Sequence, residues 1–375
     1  MKVLLLAGEE SGLIYAERLR EVLRVERPDA VFRGYQSEGF KTSDLAVMGF
    51  GAVLRRLPYF LGVARTMKRL IRSWRPDVVV TVDYPGLNLK LAAYAKASGI
   101  PAVHLVCPQV WAWHRGRIPR VAASLTKLLC FFPFEPALFA AHEGPSFTAR
   151  FIGHPLVDVF AEETSQRKTS APCVALLPGS RLGEIQRILP RLLAALPLIR
   201  PPADGKGPLA VTIPAANPRA EAEIRRFLAA AVVPDGMTVN VVQGGARDVL
   251  RTADCAAVAS GTATLEAALA RCPTVLVYAV SPWLAWFARR VIKGVRHIGL
   301  ANVIAEKAGL EPPMLELLQE AFTPEAVADR LSRWLNDTAQ RQRAVEALET
   351  VMARLHADGD ALGRAVREIC STVRA

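Results

Sequence analysis

The chain has no run of apolar residues long enough to cross a bilayer: none of its segments approaches the roughly 20 consecutive apolar positions a spanning helix needs. A transmembrane protein is therefore not expected. The opening Met1-Lys2-Val3-Leu4-Leu5-Leu6-Ala7 is also too short for a secretory signal and ends in Gly8-Glu9-Glu10, so it reads as a buried first strand. The six cysteines, Cys107, Cys130, Cys173, Cys255, Cys272 and Cys370, lack C-x-x-C spacing and mostly sit among apolar neighbours, the pattern of reduced core residues in a cytoplasmic protein. No D-x-D or histidine cluster suggests a metal. Internal repeats and low-complexity tracts are absent, and a hydrophobic fraction of 51% over 375 residues leaves ample area for two cores, which sets disorder aside.

Acid is missing from two places. Between Asp44 and Asp77, Arg55, Arg56, Arg65, Lys68, Arg69, Arg72 and Arg75 alternate with Leu57, Tyr59, Phe60, Leu61, Met67 and Trp74. From Arg271 to Ala305, Trp283, Trp286 and Phe287 keep company with Arg289, Arg290, Lys293 and Arg296. Basic amphipathic segments of this kind suit an anionic bilayer surface. They equally suit core helices with a solvated basic face. The formal charge of +12 invites a nucleic-acid reading, but no binding module accompanies it, and nucleic acid is not expected as a partner.

Two turns stand out among what is present. Leu177-Pro178-Gly179-Ser180-Arg181 and Ser260-Gly261-Thr262-Ala263 each follow an apolar strand-like run and open a helix-like run. Each should turn free backbone N–H groups and a positive helix end toward an anion. Arg181 adds a cationic fork, and Glu266, one turn into the second helix, is placed to accept hydrogen bonds from ribose hydroxyls. The pair reads as a cradle for a nucleotide diphosphate, most simply that of a nucleotide sugar.

Strand and helix patterns alternate through both halves, predicting an α/β protein of two doubly wound Rossmann-like domains facing a cleft. The expected boundaries are 1–165 for the first domain, 166–340 for the second, and 341–375 for C-terminal helices that return to the first. The polar segment from Ala161 to Ala171 is the expected linker. Chemistry should lie at the carboxyl ends of the strands. There, Ala7-Gly8-Glu9-Glu10-Ser11-Gly12 follows the first strand, with Ser11 a candidate helix cap. Asp83 ends the run Val78 to Val82 and opens Asp83-Tyr84-Pro85-Gly86-Leu87-Asn88. It serves either as general base on a sugar hydroxyl or as the cap of the following helix. Cys107-Pro108-Gln109-Val110-Trp111-Ala112-Trp113-His114-Arg115-Gly116-Arg117 offers apolar walls and anion forks for a phosphorylated or acylated sugar. His154, between Gly153 and Pro155, is either a structural hydrogen-bonding residue or a base.

Taken in order, these segments resemble the lipid-A-disaccharide synthase family. Met48-Gly49-Phe50, Trp111-Ala112-Trp113 with Arg117, Phe132-Pro133-Phe134-Glu135, Gly153-His154-Pro155, Leu300-Ala301-Asn302-Val303-Ile304-Ala305 and Glu316-Leu317-Leu318-Gln319 extend the match from residue 7 to about residue 320. The resemblance implies a glycosyltransferase B-type fold and an inverting, metal-independent hexosyltransferase with no cofactor. That enzyme would move 2,3-diacylglucosamine from its UDP conjugate to the 6-hydroxyl of 2,3-diacylglucosamine 1-phosphate in lipid A biosynthesis, releasing UDP. It would be cytoplasmic and peripheral on the inner membrane, with an oligomer possible. Asp83 would be the catalytic base, with Glu9 or His154 assisting. Gly179, Ser180, Arg181, Ser260, Gly261, Thr262, Ala263 and Glu266 would hold the donor, and Asn302, Glu316 and Gln319 match positions counted with them. The chain departs from the family pattern at Leu13-Ile14-Tyr15 and at Arg33-Gly34-Tyr35-Gln36-Ser37-Glu38-Gly39-Phe40, both on the acceptor side. Alternatives are another UDP-sugar enzyme on this fold, such as an epimerase or a transferase with a different acceptor, and a non-catalytic nucleotide-sugar or lipid-surface binding protein.

Overall fold

The computed structural model describes residues 1–41, 45, 56–162, 171–202, 207–281, 283, 286, 290 and 294–374. The chain forms two compact units, Met1–Asp158 with Leu355–Ala375, and Val159–Arg354. The expected boundaries at 165 and 340 are thus replaced by crossings at 158/159 and 354/355. Most of the expected linker lies outside the described residues.

In the first unit the order is β1 (Lys2–Ala7), α1 (Glu10–Glu26), β2 (Val31–Arg33), α2 (Leu57–Trp74), β3 (Val78–Val82), α3 (Pro85–Ala97), β4 (Ala102–Leu105), α4 (Ile118–Ser124), β5 (Lys127–Cys130), β6 (Thr148–Phe151) and α5 (Pro155–Glu162), which runs into the second unit. The six strands are all parallel, in the order β2-β1-β3-β4-β5-β6. Every residue of β3 is buried, as a parallel strand covered on both faces requires. Side chains alternate between two cores: Leu4, Leu6 and Val79 pack with α2 and α3, while Val3, Val78, Val80 and Val82 pack on the opposite face with α1.

The second unit runs β7 (Cys173–Leu177), α6 (Leu182–Ala195), β8 (Leu209–Ala215), α7 (Pro218–Leu228), β9 (Met237–Gln243), α8 (Ala246–Thr252), β10 (Cys255–Ala259), α9 (Thr262–Leu269), β11 (Thr274–Tyr278), α10 (Leu300–Ala308), β12 (Leu315–Leu318), α11 (Pro324–Asn336) and α12 (Thr338–Met352). Its sheet is also parallel, ordered β12-β11-β10-β7-β8-β9. Ile185, Ile188, Leu189 and Leu192 of α6 and Val327, Leu331 and Trp334 of α11 close its core. A final helix, α13 (Ala361–Arg374), belongs to the first unit. Its Leu362, Ala365, Val366 and Ile369, spaced as one helical face, complete the core under α1. Only this helix returns; α12, also expected to do so, stays with the second unit.

Each sheet has one point where its winding reverses: between β1 and β3 in the first, and between β7 and β10 in the second. Loops leaving the carboxyl ends of neighbouring strands diverge there to opposite faces and leave a crevice. The four loops at these points begin at Gly8, Asp83, Pro178 and Ser260, and all four were singled out by their sequence.

Candidate active site

At the first reversal, β3 ends in two successive left-handed residues, Asp83 at φ 48° and Tyr84 at φ 51°. Non-glycine residues adopt this conformation at a cost, and it persists only where the surroundings impose it. Here the restraint is Asn88, whose Nδ2 donates to the carbonyls of Leu6 (3.2 Å), Val82 (3.2 Å) and Asp83 (2.8 Å). Its Oδ1 accepts the Tyr35 hydroxyl at 2.7 Å. Asn88 is fully buried and ties the ends of both strands to α3. Tyr84, not Asp83, occupies the position before α3, and no side chain caps that helix. The helix-cap reading of Asp83 is therefore wrong. Its carboxylate stays half-buried, and burial raises its pKa above 3.8, against a lowering by the Tyr84 backbone. Glycine is required beside it. A Cβ on Gly8 would collide with the Tyr84 ring, and one on Gly12 would stand 3.3 Å from the Val82 oxygen.

Glu9 is exposed at the start of α1 without capping it through its side chain, and Ser11 lies inside the helix rather than at its cap. The charge of Glu9 reaches the same loop: Tyr84 has its pKa raised by burial and, next, by Glu9. The two segments that depart from the family pattern meet nearby, where Leu13 and residues 33–37 line one small cavity of about 110 Å³.

His154 does not suit a base. Its ring is buried against Phe131 and Phe132, with centroids at 5.0 and 5.6 Å, and Nδ1 accepts the Leu156 N–H at 3.2 Å. Burial pushes its pKa down to about 3, so it stays neutral and structural. The tryptophans divide their work. Trp111 is core, packed edge-on to Phe132 and Phe134, and donates from Nε1 to Glu135 Oε1 at 3.1 Å; Trp113 is exposed. The other Glu135 oxygen accepts the Phe132 N–H at 3.1 Å. Burial dominates and pushes Glu135 up to about 8. Cys107 and Cys130 lie beside it, all three ligand atoms within 4.8 Å, but Glu135 is already committed to two N–H donors and both thiols are pushed up. The group reads as an internal hydrogen-bonding cluster. The chain does contain one D-x-D, Asp358-Gly359-Asp360, and there Asp360 accepts the N–H groups of Leu362 and Gly363 at the start of α13.

At the second reversal, Gly179 adopts φ +104° and the Glu184 carboxylate fills the space a side chain would need. Arg181 precedes α6. Its Nη1 bonds Glu184 Oε1 at 2.8 Å, and Glu184 also accepts the Arg181 N–H at 3.4 Å. The guanidinium is mostly exposed, and exposed pairs contribute little, so the pair with Glu184 does not commit Arg181 strongly. Gly261 sits at φ 146°, ψ −163°, a region open essentially to glycine alone. It leads into α9, whose Thr264 N–H and hydroxyl both return to the Gly261 carbonyl. Thr262 and Ala263 thus occupy the first turn, where N–H groups lack helical partners. Glu266 lies one turn on, 3.8 Å from Arg247 Nε.

Asn302, Glu316 and Gln319 are engaged within the protein. Glu316 Oε1 accepts from Gly299 N (3.0 Å) and Asn302 Nδ2 (2.9 Å), and Oε2 from Ile298 N (3.1 Å). Asn302 Oδ1 accepts from Met314 N at 2.9 Å. The Gln319 amide, turned to satisfy both its atoms, pairs with the N–H and C=O of Val280 at 3.1 Å each. These side chains fasten the loop before α10 and the ends of β11 and β12. Sequence reasoning gave no role to the Asn88–Tyr35 latch. A polar residue inside the apolar run Leu87-Asn88-Leu89 was its one visible signal.

Two parallel Rossmann-like sheets with their marked loops at both winding reversals define the glycosyltransferase B-type fold class. Solved structures agree on the fold. A Staphylococcus aureus MnaA–UDP structure superposes with TM-score 0.63 at 12% identity, covering 100% of this chain and 97% of that one. Acinetobacter baumannii MurG superposes with TM-score 0.57 at 16% identity, covering 99% of each. Sequence comparison is more specific. The family profile described as Lipid-A-disaccharide synthetase matches residues 3–364. A lipid-A-disaccharide synthase from Chromohalobacter salexigens is 37% identical over 95% of this chain and 92% of its own. One from Anaeromyxobacter dehalogenans is 34% identical over 100% and 98%. The chain belongs to the lipid-A-disaccharide synthase family.

Proposed function

We propose that this protein transfers 2,3-diacylglucosamine from UDP-2,3-diacylglucosamine to the 6-hydroxyl of 2,3-diacylglucosamine 1-phosphate, with inversion and without a metal. The observation that carries the mechanism is the strained, glycine-walled placement of Asp83 at the first winding reversal. Asp83 takes the proton of the 6-hydroxyl as that oxygen attacks the anomeric carbon of the donor. The bond from that carbon to the UDP oxygen breaks, and negative charge gathers on the departing diphosphate. The N–H groups following Gly179 and Gly261, with Ser180, Thr262, Ala263 and Arg181, meet that charge, and Glu266 takes the ribose. Glu9 adds negative charge beside the Asp83 loop. Asn302, Glu316 and Gln319 hold the surrounding backbone, and Ser260 shapes the turn.

The same reading places the protein at the cytoplasmic surface of the inner membrane. Leu57 and Leu61 are exposed at the start of α2 beside exposed Arg56 and Arg65, and Trp283 and Trp286 are exposed with Arg290 stacked 3.6 Å over the Trp286 ring. No helix among the described residues is long and apolar enough to cross a membrane. Both substrates carry acyl chains, and such patches bring the enzyme to the surface that holds them.

The test is product analysis by mass spectrometry with both acylated sugars and no added metal. A tetra-acylated disaccharide phosphate plus UDP is expected. UDP binding without that product would replace the acceptor, and free sugar or its epimer would revive the epimerase alternative.

A further inference from the structure

One groove on the first unit has a charge pattern that the proposed transfer step leaves unused. It runs between α3 and α4, begins at Pro85 and Gly86, and has a volume of about 270 Å³. Lys90, Arg117 and Arg120 line it, and no acidic residue does. None of these three side chains has a hydrogen bond or ion pair to another described residue, unlike Arg33, Arg150 and Arg181, each held by a carboxylate. Lys90 and Arg120 are exposed, and Arg117 is half-buried. Three unpaired cations around one concavity repel one another, and an anion with several acceptor oxygens relieves that repulsion.

Its position limits the choice of anion. Gly86 is three residues from Asp83, a span of roughly 11 Å of chain at most. On the acceptor sugar, C1 carries the phosphate and C5 carries the hydroxymethyl group, and these carbons flank the same ring oxygen. The acceptor phosphate therefore lies within one sugar's breadth of the hydroxyl that Asp83 would deprotonate. Resting on the reaction proposed above, we propose that Lys90, Arg117 and Arg120 form the subsite for the anomeric phosphate of the acceptor. The groove selects a sugar 1-phosphate over the same sugar without it and orients the 6-hydroxyl toward Asp83. Leu89 adds an apolar side chain to the lining.

The experiment compares wild type, Lys90→Ala, Arg120→Ala and Arg120→Gln on two acceptors, 2,3-diacylglucosamine with and without its 1-phosphate, in neutral mixed micelles. The expected result is a KM for the phosphorylated acceptor raised about tenfold or more, with kcat within a few-fold and UDP affinity unchanged. KM for the dephosphorylated acceptor should not move. An unchanged KM for the phosphorylated acceptor overturns the proposal. An equal rise for both acceptors also overturns it and assigns the cations to general surface binding. A second arm separates this proposal from the reaction it rests on. Soluble glucosamine 1-phosphate is titrated into wild type and Lys90→Ala/Arg120→Ala while its phosphorus resonance is followed. Binding lost in the double variant supports the subsite even if no disaccharide forms, and equal binding, or none by wild type, overturns it. Both substituted residues are exposed, and retained thermal unfolding checks that the variants are folded.

Discussion

Asp83, the proposed base, and Glu135 are both carboxyl groups whose pKa values burial raises. A base works ionised, so lifting the Asp83 pKa moves the acid limb of its activity upward. In a kcat/KM profile the rate should fall with a midpoint above 3.8, and Asp83→Asn should lower kcat by about 10²-fold or more with UDP affinity kept. A limb at or below the ordinary value, or retained turnover, would remove Asp83 as base. Glu135 works protonated. Its folded pKa of about 8 lies above 4.5, so its contribution to stability is complete below 4.5 and is lost as pH rises through about 8. Glu135→Gln keeps the size and an acceptor for Trp111 without ever ionising. The unfolding free energy of wild type from urea titrations should fall between those two pH values relative to the variant, by on the order of a few kcal/mol; parallel curves would show that Glu135 does not titrate in the fold.

Elements were legible in proportion to their burial. Fully buried strands such as β3 and β7 announced themselves as unbroken apolar runs. The edge strands β2, β6 and β12 are short, with no residue of β2 and only one residue of each of the other two fully buried, so they lack that signal. Glycine turns were legible because close approach and positive φ leave few other residues possible, as at Gly8 and Gly261. Buried partnerships were not: nothing in the spacing of Asn302 and Glu316 says that each satisfies the other, and His154 looked like chemistry because its burial cannot be read from its neighbours. Gly261 gives the clearest test at this scale. Gly261→Ala forces a side chain where it costs about 1–3 kcal/mol, so the turn before α9 must shift. UDP affinity should fall roughly tenfold by calorimetry, with far-ultraviolet circular dichroism unchanged. Undiminished affinity would show that the α9 turn does not touch the diphosphate.

At the scale of the whole molecule, the exposed apolar and basic patches predict a salt-sensitive affinity for anionic vesicles. Leu57→Gln/Leu61→Gln should cosediment less with such vesicles than wild type while turning over detergent-dispersed acceptor at the wild-type rate; equal cosedimentation would make α2 an ordinary solvated helix. The domain division was legible only in outline, because a helix that crosses back to an earlier core is written in the same amphipathic code as one that stays. That crossing is α13. Its removal should expose Val3, Val80 and their neighbours and unfold the first unit, while the second unit keeps its own cooperative melt.

The return of α13 also fixes an order of events during synthesis. Residues 159–354 form an insertion within the first unit, and they emerge from the ribosome complete before it is. At roughly 5–20 residues per second, the sheet that carries Asp83 waits about 10–40 s for its last helix. Through that interval Val3, Val80 and Leu105 lack the cover that Leu362, Val366 and Ile369 later supply. A nascent chain stalled before α13 therefore carries a finished second unit together with an unfinished core in the first, its apolar face open to chaperones.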